Sequence, residues 1–458
     1  MIIDCRSAFR NPVCLFLGIM LAGWIHCPGV LGQQTDSDAA KPAVDFDRYF
    51  AKGALRLELY QTGDSKTCTI SLHEMFEEPY WADNKNNLIP PFPYGKTRGM
   101  FYDVESGELI CVRQFDSMFS EYVTTGPARD GVSRVFEITV RCPMPLKPVR
   151  FVLENRNSSY EFIPVFERIV DPKDLHIRRE SADLKDGIVE VQINGDPQQK
   201  VDIVYLSEGY TAAEEGDFRE DVHRISEYMF TQRPFEELKD RFNVRGVFRA
   251  SPESGTDEPA QHRYRSTNLN ATFNTFDLDR YLLVEDNHAM HRMAAQVPYD
   301  TIIVLVNSKR YGGGGIGLDY CAGTADHQHS ALTLLHEFGH SFAYLADEYI
   351  GNVVYNDMYP EGIEPVEPNI TRETHHDRIK WKKFLTPDVE LPTPLLGAAE
   401  AKKKQIVGAF EGGGYVSKGI FRPEQDCWMG KLDQEEGYCA VCADAVRRMI
   451  FAHAPDAR

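Results

Sequence analysis

The sequence predicts an α+β protein of two domains, an N-terminal antiparallel β-sandwich in residues 45–180 followed by an α/β domain in residues 195–458. Short alternating runs separated by turn residues predict the sandwich. Longer apolar strands that alternate with helical patterns predict the second domain. A charged stretch containing Gly195-Asp196-Pro197 lies between the two patterns and marks the expected boundary.

The first domain is predicted from short runs in which apolar and polar residues mostly alternate. These runs are residues 55–59, 109–112, 135–140 and 149–153. Turn residues such as Gly63-Asp64 and Asp130-Gly131 lie between them, which is typical of a sandwich. No residue in this region identifies a ligand, so a substrate-binding or docking role and a purely stabilising role both stay open.

The second domain is predicted from strongly apolar runs that suit buried strands. These runs are residues 201–206, 244–248 and 301–306. Helical patterns follow Thr211 and cover residues 278–297, and this alternation predicts a mixed sheet. The glycine-rich residues 311–317 are not followed directly by a helix, so we interpret them as the rim of a cleft rather than a dinucleotide site. Exposed backbone there could pair with an extended peptide.

Residues 1–32 have the pattern of a signal peptide. Arg6 and Arg10 precede an apolar run at residues 13–25, which is too short for a stable membrane span. We therefore expect an exported protein, secreted or periplasmic, in which the polar residues 33–44 form a flexible lead-in. No later apolar run reaches the length that a transmembrane helix needs.

The composition limits the classes of partner. A net charge of -19 and an isoelectric point near 5.2 argue against nucleic acid and against an anionic membrane surface. We expect no nucleic-acid partner and no stable membrane insertion after removal of the signal peptide. The composition leaves the oligomeric state undetermined.

The strongest chemical signal is the motif His336-Glu337-x-x-His340, which follows an apolar helical turn. On a helix, a spacing of four residues places both imidazoles on one face, where they can bind one zinc ion. A carboxylate at Glu337 can then accept a proton from an activated water and pass it to a leaving amine. The alternative is a buried core helix with two hydrogen-bonded histidines.

A catalytic zinc ion needs a third protein ligand, and Asp347 is the first choice. In a straight helix Asp347 would lie about 16 Å along the axis from His336, too far to share an ion. The helix must therefore end or bend between residues 343 and 346. Glu348 or a downstream acidic residue is the alternative ligand, and the two acids could also be an ordinary pair at a helix end.

Several motifs together resemble the secreted zinc metallopeptidases called IgA peptidases, which belong to a broader metzincin-like group. The segments that carry the resemblance are residues 201–211, 297–306, 336–349, 414–419, 422–423, 427–429 and 438–442. The β-rich N-terminal region is similar to the domain that commonly precedes such catalytic domains. The resemblance implies a metzincin-like zinc peptidase domain that acts on protein or peptide substrates.

The resemblance also implies roles for single residues. His336, His340 and Asp347 would bind one catalytic zinc ion, with Glu337 as the general base. Met429 would lie in a methionine turn beneath the metal.

This sequence departs from the usual metzincin pattern at two positions. Ala343 and Ala346 stand where the group often has a glycine and a third histidine. The departure concerns the third ligand and not the type of reaction. Tyr415 and, after it, Arg422 are predicted as donors to the oxyanion, with an ordinary structural role as the alternative.

Four cysteines fall in the region that carries the motif: Cys321, Cys427, Cys439 and Cys442. Because the protein is expected to be exported, we predict that they form disulfides. A second, structural zinc site is the alternative, although Cys439 and Cys442 form only one Cys-x-x-Cys pair.

Taken together, these patterns predict an exported zinc-dependent endopeptidase. One alternative is a zinc amidase that acts on cell-wall or other non-peptide amides. Another is a binding or adhesion protein with a vestigial zinc site, which the intact Glu337 disfavours. The sequence does not specify the substrate or the cleavage site.

Overall fold

The computed structural model describes residues 44–179, 186–351, 358–397, 404–432 and 437–456. The predicted signal peptide and nearly all of the lead-in lie outside these residues. None of the described helices combines the length and the apolar character required to cross a bilayer.

The N-terminal region is rich in β-structure. Its strands are β1 (Phe50–Gly63), β2 (Cys68–Glu78), β3 (Thr97–Asp103), β4 (Leu109–Phe115), β5 (Arg134–Pro145), β6 (Val149–Arg156), β7 (Phe162–Val170) and β8 (Ile177–Arg179). Its short helices are α1 (Phe46–Tyr49), α2 (Met118–Tyr122) and α3 (Gly126–Arg129). The strands form two four-stranded sheets, in the orders β5-β1-β2-β8 and β4-β3-β6-β7.

One hydrophobic core lies between these two sheets. Leu55 and Leu57 of the first sheet belong to the same buried cluster as Phe101 and Phe151 of the second. The prediction of purely antiparallel pairing is wrong for β8, which pairs in parallel with β2. This strand has three residues and follows a crossover from the other sheet, and alternation of side chains carries no information about strand direction.

The second region contains a six-stranded mixed sheet in the order β15-β16-β14-β10-β11-β9. Its strands are β9 (Gly187–Gln192), β10 (Val201–Glu208), β11 (Phe242–Phe248), β14 (Thr301–Val306), β15 (Gly313–Ile316) and β16 (Tyr320–Thr324). The four central strands are parallel, and the two edge strands β9 and β15 are antiparallel to their neighbours. All eight residues of β10 are buried, as expected for a parallel strand covered on both faces.

Helices and short hairpins surround this sheet. The helices are α4 (Glu215–Met229), α5 (Phe235–Leu238), α6 (Asn287–Ala294), α7 (Ser330–Ala343) and α8 (Ala440–His453). The additional strands are β12 (Ala271–Thr272), β13 (Leu283–Val284), β17 (Phe410–Gly413) and β18 (Val416–Arg422), and they pair as β12 with β13 and β17 with β18.

The predicted helix over residues 278–297 is shorter in the structure. Residues 283–284 form β13 instead, and the helix begins only at Asn287. The side chain of Asp286 accepts a hydrogen bond from the backbone N–H of Ala289 at 2.9 Å, which caps the helix at this point.

Polar contacts connect the N-terminal region with α6. Thr139 Oγ1 donates to Asn287 Oδ1 at 2.8 Å, and Arg292 Nε donates to Glu58 Oε1 at 2.9 Å. The described residues belong to one compact unit. The division into folding domains at residues 45–180 and 195–458 stays a prediction.

Candidate metal centre and its cleft

Helix α7 carries the His-Glu-x-x-His motif into the centre of the second region. It packs against β15, β16, α4 and α8. Its apolar residues Leu334, Leu335, Phe338 and Phe342 are buried in the large core cluster. The helix is therefore held from several sides, and its polar face is turned towards a cleft.

The two motif histidines point their Nε2 atoms at each other. These atoms are 3.2 Å apart. The Nδ1 atom of His336 lies 2.8 Å from the carbonyl oxygen of Trp428, and that of His340 lies 2.6 Å from the carbonyl oxygen of Leu345. Because a carbonyl oxygen only accepts, each Nδ1 carries a hydrogen, and in the neutral imidazole each Nε2 therefore presents a lone pair.

The chain turns back immediately after α7. The helix ends at Ala343, and Tyr344 adopts a left-handed conformation with φ of 55°. This turn brings Asp347 Oδ1 to 3.1 Å from His336 Nε2 and 3.4 Å from His340 Nε2. The helix thus ends within the interval that an Asp347 ligand requires.

The two oxygens of Asp347 have different surroundings. Oδ2 accepts a hydrogen bond of 2.5 Å from the hydroxyl of Tyr415. Oδ1 is buried and faces the Nε2 atoms of the two histidines. Two ring nitrogens and one carboxylate oxygen therefore converge on one point with lone pairs facing inward.

The charges of His336, His340 and Asp347 depend on one another. Burial disfavours charged imidazoles, yet the neighbouring Asp347 carboxylate raises the pKa of His340 to about 9 and also raises the pKa of His336. Burial also opposes ionisation of Asp347, but the two histidines hold its pKa far below the usual carboxyl range. The arrangement thus requires positive charge beside Asp347, which protons or a metal cation can supply.

Glu337 faces the same space. One of its carboxylate oxygens and a ring nitrogen of each histidine lie within 4.8 Å of one another. Burial raises the pKa of Glu337. The side chain is therefore close enough to exchange a proton with a small molecule located between the histidines.

A turn at residues 427–430 packs against α7. Met429 is fully buried, and its carbonyl oxygen accepts from the backbone N–H of Glu348 at 2.7 Å. A Cβ atom added to Gly339 would lie 2.9 Å from Met429 Sδ, so an alanine here would force the Met429 side chain to shift. The turn thus contacts both the helix and the segment that carries Asp347.

Tyr415 and Arg422 have different positions. Tyr415 lines the cleft, and its hydroxyl hydrogen bonds with Asp347. Arg422 Nη1 donates to the carbonyl oxygen of Gly412 at 2.5 Å, within the β17–β18 hairpin, and Arg422 does not line the cleft. Of these two predicted oxyanion donors, the structure brings only Tyr415 to the histidines.

The cleft above the histidines has a volume of ≈ 740 Å³. Gly313, Gly315 and Gly317 line one side, so the glycine-rich segment borders the cleft, as the sequence predicted. A Cβ atom added to Gly315 would lie 2.6 Å from the carbonyl oxygen of Glu337, because β15 crosses α7 at close range.

The N-terminal region forms another wall of this cleft. Lys96, Asp116 and Glu121 all line it. Sequence reasoning missed these residues, since no motif marks a side chain that reaches a site formed more than 200 positions later in the chain. An acidic residue directly after strand β4 was the only available signal, and such residues are common in turns.

The prediction of disulfides is wrong for this structure. All seven described cysteines are free thiols. Cys321 lies in β16, within the sheet, whereas Cys427, Cys439 and Cys442 meet around Glu348. Spacing along the chain could not show that one of the four cysteines lies apart from the other three.

Comparison with protein families covers most of the chain. A family model described as IgA peptidase M64 matches residues 189–400 and 395–450. A model of the peptidase M64 N-terminus matches residues 45–167. A search of curated proteins found no match. The two family matches correspond to the α/β region with the histidine motif and to the β-rich region that borders the cleft.

Proposed function

Because the chain belongs to the IgA peptidase M64 family and is therefore a peptidase, we propose that it is an exported zinc-dependent endopeptidase of the metzincin-like type. One observation carries the zinc dependence. His336 Nε2, His340 Nε2 and the buried Asp347 Oδ1 converge within 3.4 Å of one another. Export rests on the signal-peptide pattern of residues 1–32.

The three donor atoms fit a catalytic zinc ion. Two imidazole nitrogens and one carboxylate oxygen form a common ligand set for such an ion and leave a fourth position for water or substrate. His336, His340 and Asp347 would hold the ion. A zinc ion bound there supplies a Lewis acid that polarises the scissile carbonyl and lowers the pKa of a coordinated water.

The protein keeps these ligands in one orientation through hydrogen bonds on their far sides. The carbonyl oxygens of Trp428 and Leu345 select the tautomer that directs each Nε2 into the site. The hydroxyl of Tyr415 holds Asp347 Oδ2 and so leaves Oδ1 directed at the histidines.

Glu337 is the general base in this proposal. Its carboxylate accepts a proton from the attacking water and donates that proton to the nitrogen of the leaving amine. Burial raises its pKa, which makes the protonated form easier to reach during the reaction. Tyr415 lines the same cleft and is the proposed donor to the oxyanion, a role that requires its hydroxyl to leave Asp347.

The substrate in this proposal is an extended segment of a protein or peptide. β15 is an edge strand of the six-stranded sheet, and alternate residues of its glycine-rich segment line the cleft. Residues 280–282 already pair with Gly313 on the outer side of this strand, so an extended chain would pair with backbone groups beyond Gly313. A substrate bound in this way would run past Glu337 and the histidines.

The test uses the mature secreted protein with Glu337→Gln and His336→Ala variants. We expect zinc in the parent protein and in Glu337→Gln, less zinc in His336→Ala, and cleavage of an unbiased peptide library by the parent protein. Glu337→Gln should lower the turnover number roughly 10²–10⁴-fold while zinc content is unchanged. The exposed His375→Ala is the control and should behave as the parent protein.

Three outcomes would contradict the proposal. Parent protein without zinc after purification in its presence would exclude the metal centre. Glu337→Gln with unchanged turnover would exclude the proposed base. Activity on an amide panel without any peptide cleavage would instead identify an amidase.

A further inference from the structure

A second group of metal-ligating side chains includes the residue next to Asp347, and none of its members is among the residues that line the cleft. It consists of Glu348, Cys427, Cys439 and Cys442, and we call it the cysteine cluster. One ligand atom from each residue lies within 4.8 Å of each of the others. All four are at least nine-tenths buried, with exposed fractions of 2%, 1%, 6% and 0%.

The sulfur atoms lie where backbone N–H groups favour negative charge. Cys439 is the N-cap of α8, and Cys442 lies in its first turn. Cys427 Sγ accepts from the backbone N–H of Cys439 at 3.3 Å, and Cys439 Sγ accepts from that of Cys442 at 3.5 Å. The N-terminus of a 14-residue helix thus faces these sulfur atoms, although burial raises the pKa of Cys439 and Cys442 well above the usual thiol range.

Glu348 provides an independent indication of a ligand. Its Oε1 accepts from Asn369 Nδ2 at 2.8 Å and lies 3.1 Å from Cys442 Sγ. Its Oε2 is buried, and within the described ranges it has no hydrogen-bond partner. A buried carboxylate oxygen without a partner is costly, and a bound cation would remove that cost.

We propose that the cysteine cluster is a second metal site, closed and structural, that binds a thiophilic divalent ion of the zinc type. Three thiolates and one carboxylate complete a tetrahedral set without an open position for substrate. The ligands come from the segment after α7, the turn at residues 427–430 and the start of α8. A metal ion would therefore connect the segment after α7 with two parts of the chain that follow much later in sequence.

A metal ion in the cysteine cluster would also affect the histidine site in the cleft. Glu348 directly follows Asp347, and Cys427 directly precedes Trp428, whose carbonyl oxygen accepts from His336. An ion in the cysteine cluster would hold both neighbours of the histidine site in place. This consequence rests on the proposed zinc peptidase, whereas binding of the second ion does not.

The test replaces all bound metal in the mature protein by Co²⁺ and records its absorption. Thiolate ligands produce a charge-transfer band in the near ultraviolet that imidazole and carboxylate ligands do not produce. We expect this band in the parent protein and in His336→Ala, and its loss in Cys442→Ala. Elemental analysis should show that Cys442→Ala loses one equivalent of zinc and that Cys321→Ala, a buried cysteine outside the cluster, loses none.

Because Cys442→Ala removes a buried side chain, Glu348→Gln provides a second measurement in which all thiols remain. We expect a chelator to remove zinc from the cysteine cluster of Glu348→Gln at least tenfold more readily than from the parent protein. Parent protein that shows no charge-transfer band would overturn the proposal. So would a disulfide among these cysteines, found by mass spectrometry in the secreted protein.

The two proposals fail separately. A charge-transfer band with no loss of zinc in His336→Ala would remove the catalytic centre and keep the second site. Loss of zinc in His336→Ala without any charge-transfer band would support the catalytic centre and exclude the second site.

Discussion

The hydroxyl of Tyr344 lies 3.1 Å from both carboxylate oxygens of Asp116 and donates to this group. Asp116 follows β4 in the N-terminal region, and Tyr344 directly follows α7. A non-glycine residue with φ of 55° is strained by about 1–3 kcal/mol, so its surroundings must hold it there. The ring of Tyr344 also stacks on Tyr94, with centroids 5.3 Å apart.

This contact bears on the role of the N-terminal region, which the sequence left open. The region supplies one wall of the cleft and also holds the turn that brings Asp347 back to the histidines. Its backbone contributes as well, since the N–H of Asp116 donates to the carbonyl oxygen of Gly317 at 2.7 Å. Shaping the cleft and stabilising the turn are thus combined in the same few residues.

Tyr344→Phe should therefore destabilise the protein and weaken metal binding. The variant leaves the buried Asp116 carboxylate without one of its donors, which typically costs about 1–3 kcal/mol. Chemical denaturation of the metal-free protein and chelator competition measure the two effects. The exposed Tyr264→Phe is the control, and equal stability of the two variants would contradict the role of this hydrogen bond.

Tyr415→Phe separates two functions of one hydroxyl. Loss of the hydrogen bond to Asp347 should lower the metal affinity by about 10–100-fold, as is common when a group that orients a ligand is removed. If Tyr415 also donates to the oxyanion, the turnover number should stay low when excess zinc restores full occupancy. Turnover equal to that of the parent protein under saturating zinc would exclude the oxyanion role and keep the orienting one.

Gly315→Ala tests the close approach of β15 to α7. The added Cβ would lie 2.6 Å from the carbonyl oxygen of Glu337 and 3.1 Å from the Cβ atom of His340. Neither atom can move without the backbone of α7. We expect a loss of about 1–3 kcal/mol in the free energy of unfolding, together with lower peptidase activity, because β15 must move away from the helix. Gly216→Ala in α4 is the control, since no atom lies within 4 Å of its added Cβ.

Stability should fall as the pH rises, because of a buried cluster at the end of α8. His453 Nδ1 lies 3.0 Å from Asp83 Oδ1 and 3.9 Å from Asp300 Oδ1. Burial opposes the charge on His453, but Asp83 raises the pKa of this imidazole to about 8. Burial raises the pKa of Asp300 to about 8 as well. Both groups therefore bind protons more tightly in the folded state.

The sign of the pH effect follows from this difference. The protonated His453 contributes on the order of 2 kcal/mol to the free energy of unfolding. This contribution is complete below the unfolded pKa of about 6.5 and is lost as the pH passes about 8. Ionisation of Asp300 also lowers the stability as the pH rises, over a wider pH range that begins near its unfolded pKa of about 4. His453→Gln should thus show a shallower decline between about pH 6 and about pH 9 in denaturation experiments. The same slope in His453→Gln as in the parent protein would show that His453 is not the group responsible, and the exposed His375→Gln serves as control.

Local periodicity predicted many of the strands and helices and the shared helix face of the two histidines. The alternating runs predicted the β-rich N-terminal region, and the apolar runs at residues 201–206 and 301–306 became the buried strands β10 and β14. The spacing of His336 and His340 predicted that both lie on one helix face. Periodicity could not predict the parallel direction of β8 or the late start of α6, since strand pairing and a cap decided these features.

The sequence by itself determined which atoms can act as metal ligands and that α7 has to end before Asp347 can approach His336. These are local properties, set by side-chain chemistry and by the rise and period of a helix. Only the tertiary structure decided where the chain turns, because the strained conformation of Tyr344 depends on Asp116 from a distant strand. It also decided that Cys321 lies apart from the cysteine cluster, because long-range packing, and not spacing along the chain, brings distant side chains together.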